Sequence, residues 1–196
     1  WPETLDRFRH EFERVGGVFH RVGSVSEVPD VVARIARERG ARRVASWHPS
    51  TLAADFAAEL ERRGLEAEAM PPAGPPASDD ARAALRARVA AADLGLTGAD
   101  LAIAETGTLV LVSGSGRPRS TALLPPYHVA VFDREALVES LQQVGLVLEA
   151  WHDGSAPASR GAAIHFITGP SRTADIELTL TRGVHGPREV HAVFVG

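Results

Sequence analysis

Three short apolar runs alternate with amphipathic helical runs over the first seventy residues, and this rhythm limits the fold more than any other feature. Leu5, Phe8, Phe12 and Val15 are spaced three, four and three, with Thr4 as the expected cap and Gly16-Gly17 as the stop. Val18 to Val22 then reads as a strand. Val28, Val32 and Ile35 share the face of a second helix that starts near Pro29 and ends at Gly40. Arg43 to Trp47 is the next strand. His48-Pro49-Ser50 is expected to open a third helix, with Leu52, Phe56 and Leu60 at i+4 spacing and Gly64 as its end. Glu66 to Met70 completes a β-α-β-α-β series. Strands separated by helices must run parallel, because a parallel pair needs a long crossover.

Pro71-Pro72-Ala73-Gly74-Pro75-Pro76-Ala77 breaks the rhythm. A first domain of about seventy residues would be small, so residues 71–80 are read as a Pro-rich surface loop and residues 1–196 as one domain. Ser78 caps an Ala-rich helix with Leu85, Val89 and Ala92 along one side. Next, Leu101 to Ala104 and Leu109 to Val112 flank Glu105-Thr106-Gly107-Thr108, which reads as a hairpin. Ser113-Gly114-Ser115-Gly116 lacks the third glycine of a dinucleotide fingerprint, and no helix start follows it. Val129 to Phe132 is a strand, and Asp133 is expected to cap a helix carrying Leu137, Leu141 and Val144 and ending at Gly145. Trp151 to Gly161 reads as a polar loop, Ala162 to Ile167 as a buried strand, and Val190 to Val195 as the last strand.

Composition narrows the chemistry. The chain has no cysteine, which excludes disulfides, thiol nucleophiles and cysteine-ligated iron–sulfur clusters. All 21 basic residues are Arg, so neither a Schiff-base lysine nor a Walker lysine is available. The net charge of −4 implies no general pull toward nucleic acid. No apolar run approaches the roughly 20 residues of a membrane span. The opening Trp1-Pro2-Glu3-Thr4 carries no signal-peptide pattern and no initiating Met, so a soluble cytoplasmic chain lacking a few native residues is expected. No pair of histidines has the helix spacing that suits a metal, which leaves only a metal site assembled in space.

The candidate chemistry is concentrated late in the chain. Gly169-Pro170-Ser171-Arg172-Thr173-Ala174-Asp175 follows an apolar strand and places an arginine, a carboxylate and two hydroxyls within five residues. Arg172 can hold a carboxylate or phosphate in a two-pronged grip, with Ser171 and Thr173 beside it. Asp175 suits either an ion pair with Arg172 or the cap of a following helix. A second turn, Gly183-Val184-His185-Gly186-Pro187, offers His185 as a proton donor and Gly186 as a point of close approach. Glu105 lies between two apolar strands, where it serves either as a base or nucleophile or as the acceptor that holds its own turn. Thr106, Gly107 and Thr108 form either an anion cradle or simply the turn. His48 and His128 border strand ends and are read as structural.

Four of these blocks, Ala102 to Leu109, the Leu-Leu-Pro-Pro-x-His stretch at 123–128, Gly169 to Glu177 and Gly183 to Pro187, together resemble the lactate utilisation (LUD) domain family, its protein C branch most of all. The resemblance is specific from about residue 95 onward and loose before it. It implies an α/β fold with a mixed, mostly parallel sheet flanked by helices, similar to sugar-phosphate isomerases and coenzyme A transferases. It also implies a part in oxidising L-lactate to pyruvate beside iron–sulfur partner subunits. Because this chain has no thiolates, any clusters belong to those partners. In that setting Arg172 would hold the carboxylate of a small hydroxy acid, with Glu105, Asp175 and His185 as the candidate catalytic groups. Two alternatives stand beside this reading. Glu105-Thr106-Gly107 partly resembles the Glu-Asn-Gly segment of coenzyme A transferases, whose glutamate forms an acyl thioester, although Thr replaces Asn here. The other is a non-catalytic assembly or regulatory subunit.

Overall fold

A computed structural model describes residues 1–52, 54–72, 78–155, 160–174 and 180–196. The first helix, α1 (Pro2–Arg14), starts at a proline fitted to the first helical turn and not at Thr4, whose hydroxyl instead donates to Glu139 at 2.6 Å. Leu5, Phe8 and Phe12 form its buried face. It ends in a glycine-closed turn, with Gly17 N–H bonded to the Phe12 carbonyl and Gly16 N–H to that of Glu13. Then follow β1 (Val18–Val22), α2 (Val28–Arg39), β2 (Arg43–Ser46), α3 (Phe56–Glu61), β3 (Glu66–Ala69), α4 (Asp79–Ala91) and β4 (Leu94–Gly98). β5 (Leu101–Ile103) and β6 (Thr108–Gly114) form the expected hairpin. The remainder is α5 (Ser120–Leu123), β7 (Tyr127–Asp133), β8 (Leu137–Val138), α6 (Leu141–Ala150), β9 (Arg160–Ile167), β10 (Arg172–Ala174), β11 (Leu180–Arg182) and β12 (Glu189–Val195).

Six strands form one parallel sheet in the order β1-β12-β7-β4-β2-β3. The last strand of the chain therefore lies inside the sheet, and the buried runs of β7 and β12 are those of strands covered on both faces. One face is packed by α2 and α3, through Val28, Val32, Ile35, Phe56 and Leu60 against Val44, Leu96, Val129 and Val193. The other is packed by α1 and by a second sheet, β8-β5-β6-β9, in a cluster built on Phe8, Phe12, Leu109, Leu111, Phe132 and Phe194. Phe8 stacks on Phe12 with ring centroids 5.4 Å apart and meets Phe132 edge-on at 5.1 Å. Among the described residues, no helix is long and apolar enough to cross a membrane.

Several sequence expectations change. His48 caps only a short 3-10 turn, Pro49–Thr51, and α3 begins instead at the Asp55 cap, whose carboxylate accepts the Ala58 N–H at 3.1 Å. Asp133 likewise caps only a 3-10 turn, Arg134–Ala136. Leu137 then enters strand β8, and the helix carrying Val144 is capped by Ser140 and runs through Gly145. β4 is a strand with no sequence signal of its own, because Leu-Gly-Leu-Thr-Gly mimics a linker. Gly95 is there for packing: any side chain at that position would overlap the Thr121 carbonyl of α5. Ser78 does cap α4, accepting the Ala81 N–H at 3.2 Å. Most of the Pro-rich loop, residues 73–77, lies outside the described residues.

Candidate functional site

The C-terminal turn of α1 lies at the amino edge of the six-stranded sheet, just ahead of β1, and the candidate residues gather around it. Gly107 has φ +58°, and a β-carbon there would stand 2.6 Å from the Phe12 Cα, so the β5–β6 turn lies directly on the α1 backbone. Next to it runs a chain of hydroxyls. Thr106 Oγ1 donates to Thr108 Oγ1 at 2.7 Å, and Thr108 Oγ1 is 2.8 Å from Thr168 Oγ1. This hydroxyl chain links the hairpin to the segment that carries Arg172.

The exposed Arg172 crosses the end of the helix: a β-carbon on Gly16 would sit 2.8 Å from its Nη2. A cation is favoured there, because the last carbonyls of a helix carry partial negative charge. Among the described residues, no carboxylate pairs with Arg172. Arg172 lies on a strand, paired with Arg182 across the β10–β11 hairpin. Ser171 ties this segment to the second turn. Its N–H donates to the Pro187 carbonyl at 2.9 Å, and its carbonyl accepts from Gly183 at 3.1 Å. A β-carbon on Gly186 would lie 3.3 Å from the Ser171 Cβ. The Arg188 N–H donates to the Pro126 carbonyl at 2.7 Å, which brings in the Leu-Leu-Pro-Pro-Tyr-His stretch.

Thr106, Gly107, Thr108, Ser171, Arg172 and Gly186 thus share one neighbourhood. Glu105 points elsewhere. It is exposed, and its Oε2 accepts the Leu141 N–H at the start of α6 at 3.0 Å, while its own N–H donates to the Glu139 carbonyl at 3.0 Å. This contact satisfies one of the free N–H groups of that helix and adds negative charge at its positive end. His185 is exposed on its turn, Thr173 is on β10 opposite Thr181, and Asp175 lies outside the described residues.

The sequence points to His128 as structural, and its burial agrees, but it gives no sign of the His20–His191 pair. His128 on β7 is fully buried, with Nε2 2.9 Å from Thr97 Oγ1, and burial pushes its pKa down to about 3. His20 and His191 stack across β1 and β12 with Nε2 and Nδ1 3.0 Å apart. Burial, followed by the neighbouring His20, lowers His191 to about 4 against the opposing pull of Glu189. Burial also lowers His20, and Arg34 adds to the effect. The signal available was a polar ring at an alternating strand position, as in Tyr127-His128-Val129. Among the described residues, no group of three or more His, Asp or Glu could hold a metal.

The model of the LUD domain matches residues 5–195. The chain belongs to the LUD domain family. This LUD domain is 47% identical over 97 residues to the lactate utilization protein C of Halalkalibacterium halodurans, a match covering 49% of this chain and 41% of the relative. It is 30% identical over 173 residues to that of Macrococcus caseolyticus, covering 88% and 69%. The match to the Shouchella clausii protein of the same name covers 44% of it, so the chain spans less than half the length of several curated relatives it matches. A crystal structure of a DUF162 family protein from Deinococcus radiodurans shares the fold, with a TM-score of 0.61 at 23% identity, covering 100% of this chain and 98% of that one.

Proposed function

We propose that this LUD domain serves in lactate utilization and binds a small hydroxy carboxylate at the amino edge of its parallel sheet. The observation that carries the reading is Arg172: an exposed guanidinium resting on Gly16, with no carboxylate of the described residues paired to it. A guanidinium in that state suits a two-pronged carboxylate contact. Thr106, Thr108 and Ser171 lie on the segments that meet beside it and are the proposed partners of a substrate hydroxyl, with the Gly186 turn packed against Ser171. His185 and Asp175 are the candidate proton-handling groups.

Oxidising lactate to pyruvate releases two electrons and two protons. The chain has no cysteine to hold an iron–sulfur cluster, so in this reading the electrons pass to iron–sulfur partner subunits while this domain holds and orients the acid. Complementation tests it. A host whose own copy is deleted grows on L-lactate with the unaltered chain and fails with Arg172→Ala at equal protein level; equal growth of the two would refute the assignment.

One observation favours a second reading. The Glu105 residue is exposed, and among the described residues its Oε2 accepts the Leu141 N–H, which leaves Oε1 for an acyl group in the manner of coenzyme A transferases. Incubation with acyl-CoA followed by mass spectrometry decides it, since this reading requires an adduct on Glu105.

A further inference from the structure

At the edge of the sheet opposite the Arg172 neighbourhood, the carboxyl ends of the strands surround a crevice of about 480 Å³. Its walls are Val25, Leu52, Phe56, Val131 and Val195; Gly98 forms part of its floor, and Thr51 and Asp133 supply its polar groups. Neighbouring strands β4 and β2 part company here. The chain leaving β2 goes to α3, on the face covered by α2, whereas the chain leaving β4 enters the second sheet on the other face. Ligands of open parallel sheets bind where successive connections diverge in this way.

Hydrogen bonding at the crevice limits what fits. The backbone N–H groups of Thr51, Leu52, Phe56 and Ala99 all donate to internal carbonyls, and the Thr51 hydroxyl donates to the His48 carbonyl at 2.8 Å. The nearby buried cation, Arg117, is paired with Asp100 and stacked 4.6 Å over the Trp47 ring. Of the described side chains that line it, those left to a guest are acceptors: the Thr51 oxygen and the Asp133 carboxylate, of which Oδ1 already takes the Glu135 N–H at 2.9 Å. Among these described groups a carboxylate or phosphate finds no donor. A flat apolar body bearing hydroxyl or amino donors does.

We infer that this crevice is a second ligand site, distinct from the Arg172 neighbourhood, that takes an uncharged molecule of the nucleoside class. The base lies between the aliphatic walls, and its sugar hydroxyls or amino group donate to Asp133 and Thr51. The absence of a glycine-rich phosphate loop in the sequence agrees with a ligand that is unphosphorylated where it enters.

Gly98 provides the test. The nearest neighbours of a β-carbon there are Leu52 Cδ2 at 3.4 Å, Trp47 at 3.8 Å and the Val131 carbonyl at 3.8 Å, so a side chain fits the protein but occupies the crevice. Calorimetric titration with adenosine is expected to show saturable binding to the unaltered chain. Gly98→Val should weaken it at least tenfold, and Asp133→Asn, which can still cap its turn, about fivefold. Gly98→Ala and the melting temperature of each variant separate a blocked crevice from a damaged fold. No saturable adenosine binding, or binding indifferent to Gly98→Val in a folded variant, overturns the inference. So does competition by L-lactate, which would place both ligands at one site. Loss of lactate binding in Arg172→Ala tests only the other site.

Discussion

The Arg172 guanidinium lies across the last turn of the first helix, close enough that a β-carbon on Gly16 would come within 2.8 Å of its Nη2. Gly16 also has φ +92°, so it serves both the helix stop and the placement of the arginine. Gly16→Ala should therefore cost about 1–2 kcal/mol in stability from backbone strain and should also displace the guanidinium. Chemical denaturation measures the first effect and L-lactate titration the second. A variant that loses stability but keeps its affinity would separate Arg172 from ligand binding.

Gly107 meets backbone atoms, which cannot rotate away as a side chain can. With φ +58° and Phe12 Cα 2.6 Å from the position of an added β-carbon, Gly107→Ala must push the β5–β6 hairpin off α1. A loss of about 3 kcal/mol or more is expected, larger than for Gly16→Ala. Equal melting temperatures for the two variants would contradict this contact.

Glu105 distinguishes bracing from catalysis through two substitutions. Gln keeps an oxygen for the Leu141 N–H, whereas Ala removes it. As a brace, Glu105→Gln should be nearly neutral in stability and Glu105→Ala should lose about 1 kcal/mol. If the carboxylate is a nucleophile, both variants lose acyl transfer completely whatever their melting temperatures.

The buried histidines make the fold acid-labile. His128 and His191 titrate near 3 and 4 in the folded chain, against 6.5 for a free ring, so the unfolded chain binds protons first as pH falls. Their stabilising contribution is complete above about pH 6.5. It is lost at roughly 1 kcal/mol per pH unit for each ring, down to about pH 4 for His191 and about pH 3 for His128. Unfolding free energy measured from pH 7 to pH 4 should fall steeply, and His191→Gln should flatten that slope.

The sequence revealed those parts of the fold governed by local periodicity. Leu5, Phe8 and Phe12 announce α1, and the run Val129 to Phe132 announces a covered strand, because spacing and burial are locally encoded. It hid β4, where Gly95 serves contact with α5 and so looks like a loop residue. It also placed the helix after Asp133 too early and ended it at Gly145 instead of Ala150, because Leu137 and Leu141 have helical spacing but belong to β8 and to the start of α6. Around the candidate site, residue types were legible and partners were not. Nothing local states that Arg172 crosses Gly16, some 150 positions earlier, or that the Glu105 carboxylate turns to the Leu141 N–H.

The most direct measurement is calorimetric titration of L-lactate into the unaltered chain and into Arg172→Ala and Arg172→Lys. The unaltered chain should bind lactate saturably. Arg172→Ala should lose at least tenfold in affinity, and Arg172→Lys, which keeps the charge but not the fork, should fall between the two. Affinities that agree across all three proteins, or an unaltered chain that does not bind lactate, would contradict a carboxylate site at Arg172.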